Sequence, residues 1–125
     1  MIKRWVAGLA GAVSIGNGAV MLAQGRFWYV CTPGVTDTGP FNPHFVQDVG
    51  LAFTVAGGGL IAKAWSPSLW PAALIGAAFL TAHALLHLWI ITQGVSRQPV
   101  FDFAAIVAPA LVALWAALPD RSHTP

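Results

Sequence analysis

The sequence predicts an all-α fold, an antiparallel four-helix bundle that is integral to a membrane, and three observations support it. Of the 125 residues, 57% are hydrophobic and only 8% are charged, whereas soluble globular domains carry about 25% charged residues. Four apolar stretches each approach the ~20 residues that cross a ~30 Å hydrocarbon core. Tryptophans, which favour membrane interfaces, fall near the predicted ends of these spans: Trp5, Trp28, Trp65, Trp70, Trp89 and Trp115.

The predicted spans are residues 5–24, 44–64, 69–92 and 100–118, with an outer loop over 25–43, and residues 1–125 form a single transmembrane domain. The first span could instead be a cleaved signal peptide, because basic residues precede it. Its apolar run is longer than usual for that role and no A-x-A site closes it, which favours retention. Gly8, Ala12 and Gly16 recur at four-residue spacing and predict a face for close helix packing.

Local chemistry predicts where the helices begin and where they are disturbed. Asn42-Pro43 combines a capping residue with a proline suited to the first helical position, and Gln98-Pro99 starts the fourth helix similarly. Pro109 should kink that helix. Gly57–Gly59 allows close approach of a neighbour or local bending. The outer loop is rich in Gly, Pro, Thr and Asn, which predicts an ordered, turn-rich connection.

Charge indicates orientation and excludes one class of partner. The net charge of +2 is small and the basic residues are scattered, which argues against nucleic-acid binding. Four basic residues lie on one predicted side (Lys3, Arg4, Lys63, Arg121) and two on the other (Arg26, Arg97). By the positive-inside rule, both termini are predicted to be cytoplasmic, in the inner membrane of the cell. Cys31 is the single cysteine, so the chain forms no internal disulfide.

The polar residues of the spans converge toward the outer face. His44 lies at the boundary and Asp48 about 6 Å deeper, while His87 and His83 lie about 6 and 12 Å below the same boundary. Asp102, near the start of the fourth helix, is at a similar level. Ionisable residues inside a membrane are costly and usually face a partner, a cavity or a ligand.

These residues predict a metal site. Side chains at i and i+4 share a helix face, so His44 with Asp48 and His83 with His87 offer two ligand-bearing faces. Imidazole and carboxylate together suit a transition metal ion, here Cu, Zn or Fe. Asp102 is expected either to bind the ion or to orient an imidazole through its second nitrogen. The leading hypothesis is redox chemistry or metal handling at this site.

Three alternatives stay open. The histidines and acids could join helices by hydrogen bonds in a non-catalytic accessory subunit of a larger membrane complex or homo-oligomer. Haem is a second candidate ligand, although His83 and His87 share a face and do not clamp one haem together. A proton-coupled transporter is the third, although polar groups at one end provide no continuous pathway.

The layout resembles small bacterial inner-membrane proteins of the DoxX-like, four-span type. The resemblance rests on the four spans, the long first outer loop and the segment GPFNPHFVQDVG at residues 39–50. It implies a four-helix fold in a cell membrane and carries over no catalytic residue.

Overall fold

The computed structural model describes residues 1–120, and within them the regular structure is helical, with no strand. Four long helical segments, called rods below, dominate the structure, and the fourth rod consists of three consecutive elements. In chain order the elements are α1 (Ile2–Ala23), α2 (Gly25–Cys31), a 3₁₀ turn (Val35–Thr38), α3 (Pro43–Trp65), a 3₁₀ turn (Pro67–Leu69), α4 (Trp70–Thr92), α5 (Pro99–Asp102), a π-helical segment (Phe103–Val107) and α6 (Ala108–Ala117).

The rods have the length and surface of membrane-spanning helices. All four are long and apolar enough to cross a membrane. Their outward faces carry large exposed apolar side chains, such as Trp5, Leu9, Val55, Ile75 and Leu111. So many large exposed apolar side chains are unfavourable in water and suit contact with lipid. The chain is therefore a multi-pass membrane protein.

The rods pack as a ring around a core of small residues. α1 contacts α3, α3 contacts α4, α4 contacts α6, and α6 returns to α1. Alanine dominates the core, with few larger members such as Leu60, Leu80 and Val107. Because a methyl group occupies little space, alanine lets helix backbones approach closely, which is how membrane helices gain packing energy.

The predicted packing face of α1 is wrong in two of its three members. Ala12 is exposed and, among the described residues, no atom lies within 4 Å of where a Cβ on Gly16 would be. Only Gly8 approaches a neighbour, with its Cβ position 3.2 Å from the Cβ of Ala64. The buried face instead comprises Ala7, Gly11, Ser14, Gly18 and Met21.

The spacing explains this correction. A step of four residues advances about 40° beyond a full helical turn, so a strict four-residue pattern rotates off any face. Alternating steps of four and three stay on it. At the centre of the real face, a Cβ on Gly11 would lie 2.7 Å from the carbonyl oxygen of Gly57 in α3.

The three consecutive glycines of α3 have different surroundings. Gly57 faces α1, Gly59 lies against the backbone of Ala72 in α4, and Gly58 has no described atom near its Cβ position. The close approach predicted for this run is confirmed for the first and third glycines. α3 is thus the helix that brings α1 and α4 together.

The predicted helix starts are confirmed. The Asn42 side chain accepts a hydrogen bond from the backbone N–H of Phe45 at 3.2 Å, with Pro43 in the first turn. Pro99 begins α5. The kink expected at Pro109 stays a prediction, and a π-helical segment, Phe103–Val107, lies just before this residue. Proline lacks an N–H and its ring crowds the carbonyl four residues earlier, which favours a local change of hydrogen-bond pattern.

The outer loop is ordered, as predicted, and it contains a helix, α2, that the sequence did not indicate. The indole N–H of Trp28 in α2 donates to Asn17 Oδ1 of α1 at 2.9 Å. The Tyr29 hydroxyl donates to the Gly39 carbonyl at 2.5 Å, and its ring lies 5.3 Å from that of Phe41. The first contact attaches α2 to α1, and the other two join α2 to the part of the loop that precedes α3.

Basic residues bind helix ends at the end of the bundle that holds the N-terminus. The Nζ of Lys63, a fully buried residue, donates to the carbonyls of Ala116 and Leu118. Arg4 donates to the carbonyls of Ala64 and Trp65 at the end of α3, at 3.0–3.2 Å. Cations are favourable at helix C-termini, where carbonyls lack partners. Arg121, counted above for orientation, lies outside the described residues.

Candidate functional site

His87 of α4 and Asp102 of α5 meet in a partly buried position. His87 Nδ1 lies 3.4 Å from Asp102 Oδ1, and the side chains are 23% and 10% exposed. The two residues are far apart in sequence, so the contact depends on the tight connection of residues 93–98. Gly94 in that connection has φ +68°, a conformation that glycine adopts without steric cost.

Ser96 holds the carboxylate of Asp102. Its hydroxyl donates to Asp102 Oδ2 at 2.6 Å, and its oxygen accepts the backbone N–H of Gln98 at 3.2 Å. One oxygen of Asp102 is therefore fixed by the connection while the other points to His87. The sequence interpretation missed Ser96. The available signal was that it is the one hydroxyl side chain in residues 93–98.

His83 extends the site one turn along α4 among aromatic rings. Its ring centroid lies 4.8 Å from that of His87. Phe53 of α3 contacts it edge-on at 5.6 Å, and Phe79 lies nearly parallel to it at 6.2 Å. We call His83, His87, Ser96 and Asp102 the polar cluster.

His44 and Asp48 form a separate pair. His44 Nδ1 lies 3.0 Å from Asp48 Oδ2, and the side chains are 83% and 60% exposed. Across residues 1–120, no hydrogen bond or ion pair joins this pair to the polar cluster, and no group of three or more His, Cys, Asp or Glu side chains is arranged to hold a metal ion. The five predicted ligands (His44, Asp48, His83, His87 and Asp102) thus fall into two sets.

One ring nitrogen of His87 lacks a hydrogen-bond partner among the described residues. Its Nδ1 is buried and makes no hydrogen bond within the described part of the chain. The 3.4 Å to Asp102 exceeds the usual 2.7–3.2 Å of an N–H···O bond. A buried polar atom without a partner is rare in native proteins and needs an explanation. A small rotation of the ring would let Nδ1–H donate to Asp102, and Nε2 would then remain as a free acceptor or ligand.

The site thus combines the His87 imidazole, the Asp102 carboxylate that faces its Nδ1, and the His83 imidazole one helical turn away. In metal sites, a ligating histidine commonly donates its other ring N–H to a carboxylate, which fixes the ring and increases its basicity. Comparison with known proteins adds no relative from which a role could be carried over: no protein-family model, curated protein or solved structure matches the chain.

Proposed function

We propose that the chain is a membrane protein that binds a transition metal ion, Cu, Zn or Fe, at His83 and His87, with Asp102 orienting His87. The observation that carries the proposal is the buried, unbonded Nδ1 of His87 facing a carboxylate oxygen at 3.4 Å. Asp102 is an orienting group because Ser96 already holds its other oxygen.

Two imidazoles one helical turn apart are a common way for one helix to contribute two ligands, since side chains at i and i+4 share a face. Nitrogen ligands of this kind suit Cu, Zn and Fe. Water would complete the coordination and leave an exchangeable position for redox chemistry or metal transfer. His44 and Asp48 are exposed and belong to the separate pair, so they serve as the natural control.

Metal titration of the full chain purified in detergent tests the proposal. We expect one ion per chain, measured by elemental analysis and by calorimetry with Zn²⁺ and Cu²⁺, and with Fe²⁺ under anaerobic conditions. His83→Ala and His87→Ala should abolish stoichiometric binding, and Asp102→Asn should weaken it about 10–100-fold. His44→Ala should bind as the wild type does. A wild-type protein that takes up none of the three metals contradicts the proposal, as does equal loss in His44→Ala.

A second candidate is a non-catalytic accessory subunit in which the cluster only joins helices. The hydrogen bond from Ser96 to Asp102, together with the approach of Asp102 to His87, connects residues 93–98, α5 and α4 without any ion. Under this alternative, Asp102→Asn lowers the stability of the bundle while the wild type binds no metal. A haem clamped by His83 and His87 is disfavoured because both residues project from the same helix face.

The proposed setting is the inner membrane, with an antiparallel bundle and both termini in the cytoplasm. Contacts support the antiparallel order, because Gly11 meets Gly57 whereas Gly18, further along α1, meets Gly50, earlier in α3. Basic residues at the end holding the N-terminus support the orientation. The polar cluster then lies in the outer half. The DoxX-like relationship agrees with this setting and remains a prediction.

A further inference from the structure

We infer that residues 32–42, between α2 and α3, form a strap that controls access to the polar cluster and the orientation of Asp102. The inference rests on the polar cluster of the proposed function, whatever ligand the cluster binds. Its basis is that residues 96–98 contact the strap on one side and the cluster on the other.

Two contacts fasten the strap to this connection. Arg97 Nη1 lies 3.2 Å from Asp37 Oδ1. A Cβ on Gly34 would lie 3.7 Å from Gln98 Cγ and 3.9 Å from Gln98 Cβ, so the backbone of the strap passes directly over Gln98. The neighbouring Ser96 donates to Asp102. Three consecutive residues therefore transmit the position of the strap to the carboxylate.

The strap is attached firmly at the end next to α3 and weakly at its middle. Tyr29 holds Gly39 through its hydroxyl and lies against Phe41. At the middle of the strap, the side chains of the Arg97–Asp37 pair are 77% and 38% exposed. Exposed pairs contribute little to stability and are screened by salt. Among the described residues, none in the range 32–42 is buried.

Glycines provide the pivots. Gly34 has φ +80° and Gly39 has φ +138°, so both occupy conformations that side chains other than glycine rarely adopt. Segments with little buried apolar area open at low cost compared with the rest of a fold. When the Asp37–Arg97 pair separates, residues 96–98 are released. Asp102 then loses the hydrogen bond that orients it, and His87 becomes accessible from outside.

A reversible disulfide between positions 34 and 98 tests the inference. The Cβ separation of 3.9 Å matches the value of about 3.8 Å that is typical of disulfides. Gly34→Cys and Gln98→Cys are combined in a Cys31→Ser background and studied in metal-free full-length protein. The readout is the rate at which diethylpyrocarbonate modifies His87, measured by peptide mass spectrometry. The exposed His44 in the same molecule is the internal control.

We expect the oxidised protein to be modified at His87 at least about fivefold more slowly than the reduced protein, with His44 unchanged. The factor corresponds to an equilibrium shift of about 1 kcal/mol, the upper value for an exposed ion pair. Dithiothreitol should restore the rate. Equal rates at His87 in the oxidised and reduced forms would overturn the inference.

A charge exchange provides a second test that needs no cysteine at the strained position 34. Asp37→Arg should accelerate modification of His87, up to about fivefold, and Asp37→Arg combined with Arg97→Asp should restore the wild-type rate. No effect of Asp37→Arg would contradict the inference. Because neither test uses metal, failure of the metal titration would overturn the proposed function and leave this inference standing.

Discussion

Lys63 Nζ lies 2.6 Å from the carbonyl oxygen of Ala116, so a buried cation on α3 binds the C-terminal end of α6. The same ammonium group also reaches Leu118, and Lys3 donates to Leu118 and Pro119 from α1. Three helices therefore meet at one set of carbonyl groups. A buried lysine is unusual, and here helix-end carbonyls satisfy its charge.

We expect Lys63→Met to lower the free energy of unfolding by about 1.5–3 kcal/mol, the range for hydrogen bonds to charged groups. The substitution keeps an unbranched side chain, one atom shorter than that of lysine, and leaves the carbonyls of Ala116 and Leu118 without that donor. Thermal unfolding in detergent, followed by circular dichroism, measures the change. Lys3→Met, at a more exposed position, is the control and should cost less. Equal stability of Lys63→Met and the wild type would refute this account.

Adjacent glycines provide a matched test of packing. Gly57→Ala should destabilise the bundle by about 1–3 kcal/mol, because its Cβ would lie 2.6 Å from the carbonyl oxygen of Gly11 and a backbone atom cannot move aside easily. Gly58→Ala should be neutral or stabilising by up to about 1 kcal/mol, since alanine favours helix and its Cβ meets no described atom. The same unfolding assay compares them. If the two variants are equally stable, α1 and α3 do not pack through this face.

The two His–Asp contacts differ in burial and should therefore contribute differently to the free energy of unfolding. Asp102→Ala should cost about 1–3 kcal/mol, because it leaves the part-buried Ser96 hydroxyl without its acceptor and removes the carboxylate that faces the buried His87 Nδ1 at 3.4 Å. Asp48→Ala should change stability by less than about 0.5 kcal/mol, because its contact with His44 is exposed. This result is expected in metal-free protein. Equal costs for the two variants would mean that the polar cluster contributes no more than a surface pair.

Orientation can be tested independently of stability. A reporter fused after Pro125 should be active in the cytoplasm, and one inserted within residues 34–39 should be active outside it. The expectation follows from the basic residues at the end holding the N-terminus and the positive-inside rule. A C-terminal reporter active outside the cytoplasm would reverse the orientation and place the polar cluster on the cytoplasmic side.

The sequence was sufficient for the features that depend on local chemistry. Apolar runs of membrane length predict the rods because length and hydropathy are properties of each segment alone. Asn42 caps its helix by accepting a hydrogen bond from a backbone N–H three residues later in the chain. His44 meets Asp48 because residues four apart share a helix face. The predicted depth of Asp102 in the membrane, similar to that of His87, followed from counting residues along each helix from the outer boundary.

Features that depend on rotation and on loop conformation could not be predicted in the same way. Ala12 and Gly16 were misplaced because a spacing of four drifts around the helix, and only the partner glycines on α3 select the true face. Ser96 was missed because its partner is set by the path of residues 93–98, which has no periodic pattern. The contact of Asp37 with Arg97 joins two loops and leaves no signal in either one.

The π-helical segment Phe103–Val107 determines which way Asp102 faces. A π-helical turn pairs residues five apart instead of four, so it accommodates one residue more than a regular turn of the same helix. If residues 103–107 formed a regular α-helix with the same sequence, Asp102 would be rotated by about 100° relative to the buried face of α6. The carboxylate would turn away from α4 while α6 stayed in place. The extra residue of the π-helical turn thus lets Asp102 face the polar cluster while α6 keeps its buried face toward the core.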